Sequence, residues 1–97
     1  MSEHRRAARV DDNQTQVVAA LRKLPGVTVE LGHDDFLVGY QGRTYWVELK
    51  NPNKRNDDGS WKVGALKADQ LRIASDWCGH YLITDSLSEI LRDINFP

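Results

Sequence analysis

Gly32-His33-Asp34-Asp35-Phe36-Leu37-Val38-Gly39-Tyr40-Gln41-Gly42-Arg43-Thr44-Tyr45-Trp46-Val47-Glu48-Leu49-Lys50 reads as two short strands joined by a tight turn at Gln41-Gly42. A two-residue loop there sets Tyr40 opposite Arg43. Counting outward from that pair, Leu37 faces Trp46, Asp35 faces Glu48 and His33 faces Lys50. Directly opposed residues share a face, with Cβ atoms about 5 Å apart. Lys50 lies two residues past Glu48 and shares its face. Two carboxylates and an ammonium therefore converge at the open end of a hairpin. Carboxylates held so close repel each other unless a cation sits between them. Hard oxygen donors at this separation suit Mg²⁺, which takes one or two carboxylates and keeps several waters. Asp35 rather than Asp34 belongs to this set only if the loop is even-numbered, because a register slip of one sends it to the other face.

The flanking sequence predicts elements that would support such a hairpin. Asp11 or Asp12 can cap a helix running to about Leu24, where Pro25-Gly26 stops it. Its stripe is Val10, Gln14, Val17, Leu21 and Leu24, so Gln14 points towards the sheet. Val27, Val29 and Leu31 alternate with Thr28 and Glu30, as in a strand. In the second hairpin strand Tyr45, Val47 and Leu49 share one face, and Thr44, Trp46, Glu48 and Lys50 the other. Both faces are partly apolar, as in a sheet covered by helices.

Residues 51–64 form a long polar loop, and unstructured loops of that length are uncommon in small domains. Lys54, Arg55 and Lys62 are candidates for phosphate contact, with Lys67 just beyond, and Trp61 is read as an anchor for the loop. A second helix covers roughly Leu66–Cys78 and ends at Gly79, with Leu66, Gln70, Ile73, Ala74 and Trp77 on one stripe. Gln70 is thus a second polar residue on an apolar helix face. His80–Thr84 reads as a short central strand, and Ser86-Leu87-Ser88-Glu89 as a capping box opening a last helix. The order is α-β-β-β-α-β-α, an α/β (α+β) fold with a four-stranded mixed sheet flanked by helices. The crossover through the second helix should make the fourth strand parallel to a neighbour.

The totals agree with one small domain. The chain has 97 residues, 40% hydrophobic and 28% charged, which suits a globular protein rather than a disordered one. So small a core would gain from oligomerisation. No apolar run is long enough to span a membrane, and the Arg-rich N-terminus has no apolar signal region. Cys78 is the only cysteine, which excludes an internal disulfide and points to an intracellular site. The net charge of −1 hides an asymmetry: residues 1–72 carry 12 Lys/Arg against 10 Asp/Glu, and residues 73–97 carry one against four. Away from the acidic pair, the first three-quarters is therefore basic, as a phosphate-facing surface would be. Residues 1–10 read as a flexible basic arm, with Arg5, Arg6 and Arg9 available to phosphates, and residues 11–97 as the domain.

Asp35, then twelve residues, then Glu48-Leu49-Lys50, on a hairpin after a helix, resembles the PD-(D/E)XK nuclease superfamily. The segments Arg9-Val10-Asp11-Asp12-Asn13-Gln14, Asp35 to Gly42, Val47 to Lys50 and Asp69-Gln70 resemble the small phage and bacterial members of the virus-type replication-repair nuclease (VRR-NUC) family. The resemblance runs from about Arg9 to Ile94. Asp34 stands where the motif has its proline, Gln14 where related resolvases often carry Glu, and Lys67-Ala68 where relatives tend to have Thr-Pro.

The resemblance implies a restriction-endonuclease-like core and a Mg²⁺-dependent DNA endonuclease, with Mn²⁺ able to substitute. Asp35 and Glu48 would hold the metal with the backbone carbonyl of Leu49, and Lys50 would activate water and stabilise developing charge. Gln14 would sit beside the metal, Gln70 would approach it, and His33 would be auxiliary. Branched DNA such as a four-way junction is the implied substrate. Its two symmetric scissile phosphates favour a homodimer, and the implied setting is the cytoplasm of a bacterium or phage-infected host. The rivals are a nuclease acting on flaps, single strands or RNA, a nuclease-fold module that binds DNA without cutting, and a structural phage protein.

Overall fold

The computed structural model describes residues 13–31 and 36–97. Helix α1 (Gln14–Arg22) leads into strand β1 (Val27–Leu31), then β2 (Phe36–Tyr40) and β3 (Arg43–Leu49). A single 3₁₀ turn at Pro52–Lys54 precedes α2 (Ala68–Asp76), β4 (Tyr81–Thr84) and α3 (Leu87–Asp93). This is the order the sequence predicts. The strands form one mixed sheet in the order β1-β2-β3-β4, antiparallel except for the parallel β3–β4 pair.

The turn decides the register. Gln41 and Gly42 both have positive φ, 53° and 78°, as a type I′ turn requires. Its twist matches the strands, so Tyr40 pairs with Arg43, Leu37 with Trp46 and Phe36 with Val47. The predicted register therefore holds along the whole described hairpin. The next pair in the count, Asp35 with Glu48, and the pair His33 with Lys50 fall outside the described residues, as do the basic arm with Arg5, Arg6 and Arg9 and the caps Asp11 and Asp12.

The core lies on one face. Val27 and Val29 of β1, Phe36, Val38 and Tyr40 of β2, and Tyr45, Val47 and Leu49 of β3 are buried there. Val17, Val18 and Leu21 of α1 and Ile90 and Ile94 after β4 close over them. Fully burying each aliphatic side chain contributes roughly 1.5–3 kcal/mol, so this face supplies most of the stability.

Several elements differ in detail from expectation. Among the described residues α1 starts after Asn13, and it closes through bonds from Lys23 N to Ala20 O and Leu24 N to Leu21 O. β4 lies at the sheet edge rather than in its centre. β1, β2 and β3 form a meander whose free sides are its two edges, and β4 adds to that of β3, so it lies at an edge of the sheet. α2 stops at Asp76, because Trp77 turns extended with ψ 126° instead of the chain continuing to a left-handed Gly79. Only Gln70 of α2 is buried; Trp77 and Leu71 are about half exposed, at 52% and 53%. The capping box at α3 is half made: Ser86 Oγ accepts from Glu89 N at 3.2 Å, but the Glu89 carboxylate turns to Thr84 and Arg55. No helix among the described residues is long and apolar enough to cross a membrane.

Candidate active site

Glu48 and Lys50 occupy the end of β3 that runs alongside β4, on the face opposite the core. Such carboxyl ends of parallel strands are where α/β sheets commonly bind ligands. Pairing of Glu48 with Ile83 and Leu49 with Thr84, and the bond from Lys50 N to Thr84 O at 2.8 Å, hold this stretch straight. Asn13, at the start of α1, donates from Nδ2 to the carbonyls of Lys50 at 3.2 Å and Asp85 at 3.3 Å. The ends of β3 and β4 are thereby tied to one helix.

Both charged side chains are buried, Glu48 at 5% and Lys50 at 8% exposure. Lys50 Nζ lies 3.3 Å from Glu48 Oε2. Gln70 Nε2 donates to the same oxygen at 2.7 Å, while Gln70 Oε1 accepts from Lys67 N at 2.9 Å. The two bonds fix the amide orientation: the oxygen takes the backbone N–H, so the nitrogen faces the carboxylate. A buried charge is tolerated only when paired and hydrogen-bonded, and here both conditions are met.

The structure brings together Glu48, Lys50 and Gln70 from the predicted set. Gln14 is half-buried in the first turn of α1. Its neighbour Asn13, to which the sequence assigned no role, is the residue that bonds to the ends of β3 and β4. The signal was present, since Asn is a preferred N-cap residue, but Asn13 spends its amide on two carbonyls instead of capping α1.

The long loop has structure. Arg55 pairs with Trp61 in a β-bridge, and its guanidinium stacks 3.9 Å from the centre of the Trp61 ring. Arg55 also pairs with Asp85 at 2.9 Å and Glu89 at 3.2 Å. The hydrogen bond to Asp85, with the Glu89 charge nearby, raises its already high pKa. Trp61 thus anchors the loop, as expected, and Arg55 is engaged in holding that small hairpin to α3. At the hairpin tip, the hydroxyl and amide of Ser60 hold the Asp58 carboxyl below its ordinary range. Lys54, Lys62 and Lys67 are exposed and form no ion pair among the described residues. Lys62 N bonds to Lys54 O at 2.8 Å, which keeps two of them side by side.

Mg²⁺ needs hard oxygen donors. The Glu48 carboxylate and the Leu49 carbonyl are such donors at adjacent positions, and Asn13 Oδ1 is a buried acceptor with no partner. These donors fit a hydrated dication in chemical type. No group of three or more His, Cys, Asp and Glu side chains suited to a metal exists among the described residues, and Asp35 lies outside them. Comparison of the chain with protein-family models, with curated proteins and with solved structures returned no match.

Proposed function

We propose that the chain is a Mg²⁺-dependent DNA endonuclease that hydrolyses phosphodiester bonds, selective for branched DNA and acting on four-way junctions as a homodimer. The observation that carries this reading is the buried Glu48–Lys50 pair, two positions apart on one face of β3, with Gln70 reaching it from α2. A carboxylate and an ammonium kept together in the interior are costly for a small domain, and a metal-binding carboxylate beside a positive charge can serve phosphodiester hydrolysis.

In this scheme Glu48 and the Leu49 carbonyl hold the metal together with Asp35. When bound, Mg²⁺ neutralises charge at a non-bridging phosphate oxygen and lowers the pKa of a bound water. Lys50 keeps its ammonium where negative charge grows in the transition state. Gln70 orients the Glu48 carboxylate through Oε2. Lys54, Lys62 and Lys67 contact phosphates away from the reaction. None of these groups reads a base edge, so selectivity comes from DNA shape.

The test is cleavage of labelled junction, flap, duplex and single-stranded DNA with Mg²⁺ or Mn²⁺. Wild type cuts the junction, and Glu48→Ala and Lys50→Ala do not. Binding without cutting on every substrate would refute the enzyme reading, and full activity of Glu48→Ala would refute the site. One observation favours a second reading, a nuclease-fold module that binds without cutting. Glu48 Oε2 is already satisfied by Lys50 and Gln70 within the chain.

A further inference from the structure

The face of the sheet that carries Glu48 also carries an aromatic cavity that the scheme above leaves unused. It measures about 370 Å³ and is lined by Leu37, Thr44, Trp46, Trp77, Gly79 and His80. That volume falls within the range of small-molecule sites, and the mix of apolar walls with a few polar groups is typical of them. Trp46 and Trp77 stand perpendicular, with ring centres 5.3 Å apart, and make a two-walled corner. Tyr81 braces Trp46 from another side, edge-on at 5.1 Å.

The corner is built rather than incidental. A Cβ placed on Gly79 would lie 2.6 Å from Trp77 Nε1, so the indole in this position requires glycine there or a shift of the ring. No acidic side chain lines this cavity among the described residues. The larger cavity beside α3, by contrast, is lined by Glu89 and Asp93 as well as Arg55 and Arg92, with Glu89 paired to Arg55 and Asp93 to His80. An anionic strand is therefore tolerated at the aromatic corner. Trp46 and Thr44 lie two and four residues before Glu48 on the same face, about 7 and 13 Å along the strand. A nucleotide next to one held at Glu48 reaches that far.

We propose that this cavity receives an unpaired nucleobase flanking the scissile phosphate, its face stacked on one of the two perpendicular indoles and its edge meeting the other, with Thr44 at the polar rim and the His80 ring held away by Tyr45 and Asp93. The proposal rests on the nuclease reading for the neighbouring phosphate, and it narrows the substrate to DNA with an unstacked base beside the cut. Stacking on aromatic side chains is tolerant of base identity, so no sequence preference follows.

The test is metal-free binding in EDTA, in a Trp61→Phe background so that emission reports Trp46 and Trp77. The probes are a thymidine 8-mer and an 8-mer of abasic residues with the same phosphates. The thymidine strand quenches emission and binds roughly five- to hundredfold tighter, the range that loss of one base–aromatic stack gives. Trp77→Ala and Gly79→Ala lose both effects, while Trp77→Phe keeps most of the affinity. Equal affinity for the two probes would overturn the proposal. So would self-association that shields Trp77 from acrylamide, which would make a second copy the occupant. Base-dependent quenching in a protein that cuts nothing would refute the nuclease reading and leave the base site standing. Cutting with equal affinity for both probes would do the reverse.

Discussion

Removing one member of the Glu48–Lys50 pair should destabilise the fold far more than removing both. At 3.3 Å the attraction is about 5 kcal/mol at an effective dielectric near 20. Side-chain exposures of 10% and 7% leave little water to screen it. Most of that attraction offsets the desolvation of the two charges, so the pair adds little net stability. Breaking it by one substitution strands a buried charge, which costs about 3–5 kcal/mol. A domain of this size has only about 5–15 kcal/mol in total.

Glu48→Gln and Lys50→Met should therefore each lose about 3–5 kcal/mol, while the double variant stays within about 2 kcal/mol of wild type. Gln70 can still donate to the amide oxygen of a glutamine at position 48, which helps the double variant. The coupling energy should therefore reach at least about 4 kcal/mol, above the roughly 0.5–3 kcal/mol usual for contacting residues. Urea unfolding in EDTA, with sulfate added to keep the single variants folded, gives all four corners of the cycle. Additive losses, with coupling below about 1 kcal/mol, would refute the claim that the two charges compensate each other in the interior.

Gln70→Leu should lose about 1.5–3 kcal/mol, the usual value for a hydrogen bond to a charged group, and expose the Lys67 amide to exchange. Arg55→Met should release the 55–61 hairpin from α3 at a loss of about 1–3 kcal/mol, seen as a red shift of Trp61 emission. The Asp58 carboxyl has a lowered folded-state pKa, so its contribution is present above the unfolded value near 3.9 and vanishes as pH falls through the folded one. Protection of the Ser60 amide should follow that curve. Mg²⁺ at a hundredfold excess over its dissociation constant should stabilise wild type by about 2.7 kcal/mol and Glu48→Ala not at all, measured as a shift of Tm on adding and chelating the metal.

Local chemistry made the hairpin legible. Gln41-Gly42 accepts the two positive φ angles of a type I′ turn, and once the loop length is known every pair in β2 and β3 follows. Glu48 and Lys50 fall on one face by the period of two, and Gln70 interrupts an apolar helical stripe, so all three could be named in advance. What escaped depends on contacts between distant segments. Arg55 reads as a phosphate ligand until Asp85 and Glu89, thirty or more positions away, are brought beside it. The role of Asn13 appears only when the ends of β3 and β4 arrive at its amide. The edge position of β4 is a matter of which strand has a free side. α2 ends where Trp77 turns extended, two residues before the Gly79 that a helix-stop rule would choose.

The two faces of the sheet answer different demands. One is packed with Phe36, Val38, Val47, Leu49 and Ile90, each at most 1% exposed, and would satisfy any requirement for stability alone. The other holds a buried carboxylate, a buried ammonium, a buried amide and a half-exposed Trp. Apolar residues of similar volume in place of a buried ion pair are often neutral or stabilising by about 1–4 kcal/mol. A sequence shaped only for folding would therefore have no reason to keep Glu48, Lys50 and Gln70 together under α2. Because the core face does not depend on α2, the second face is free to hold groups that stability disfavours and chemistry requires. The distribution of polar residues between the faces, more than any single motif, is what supports the proposal that Glu48 and Lys50 act as a site.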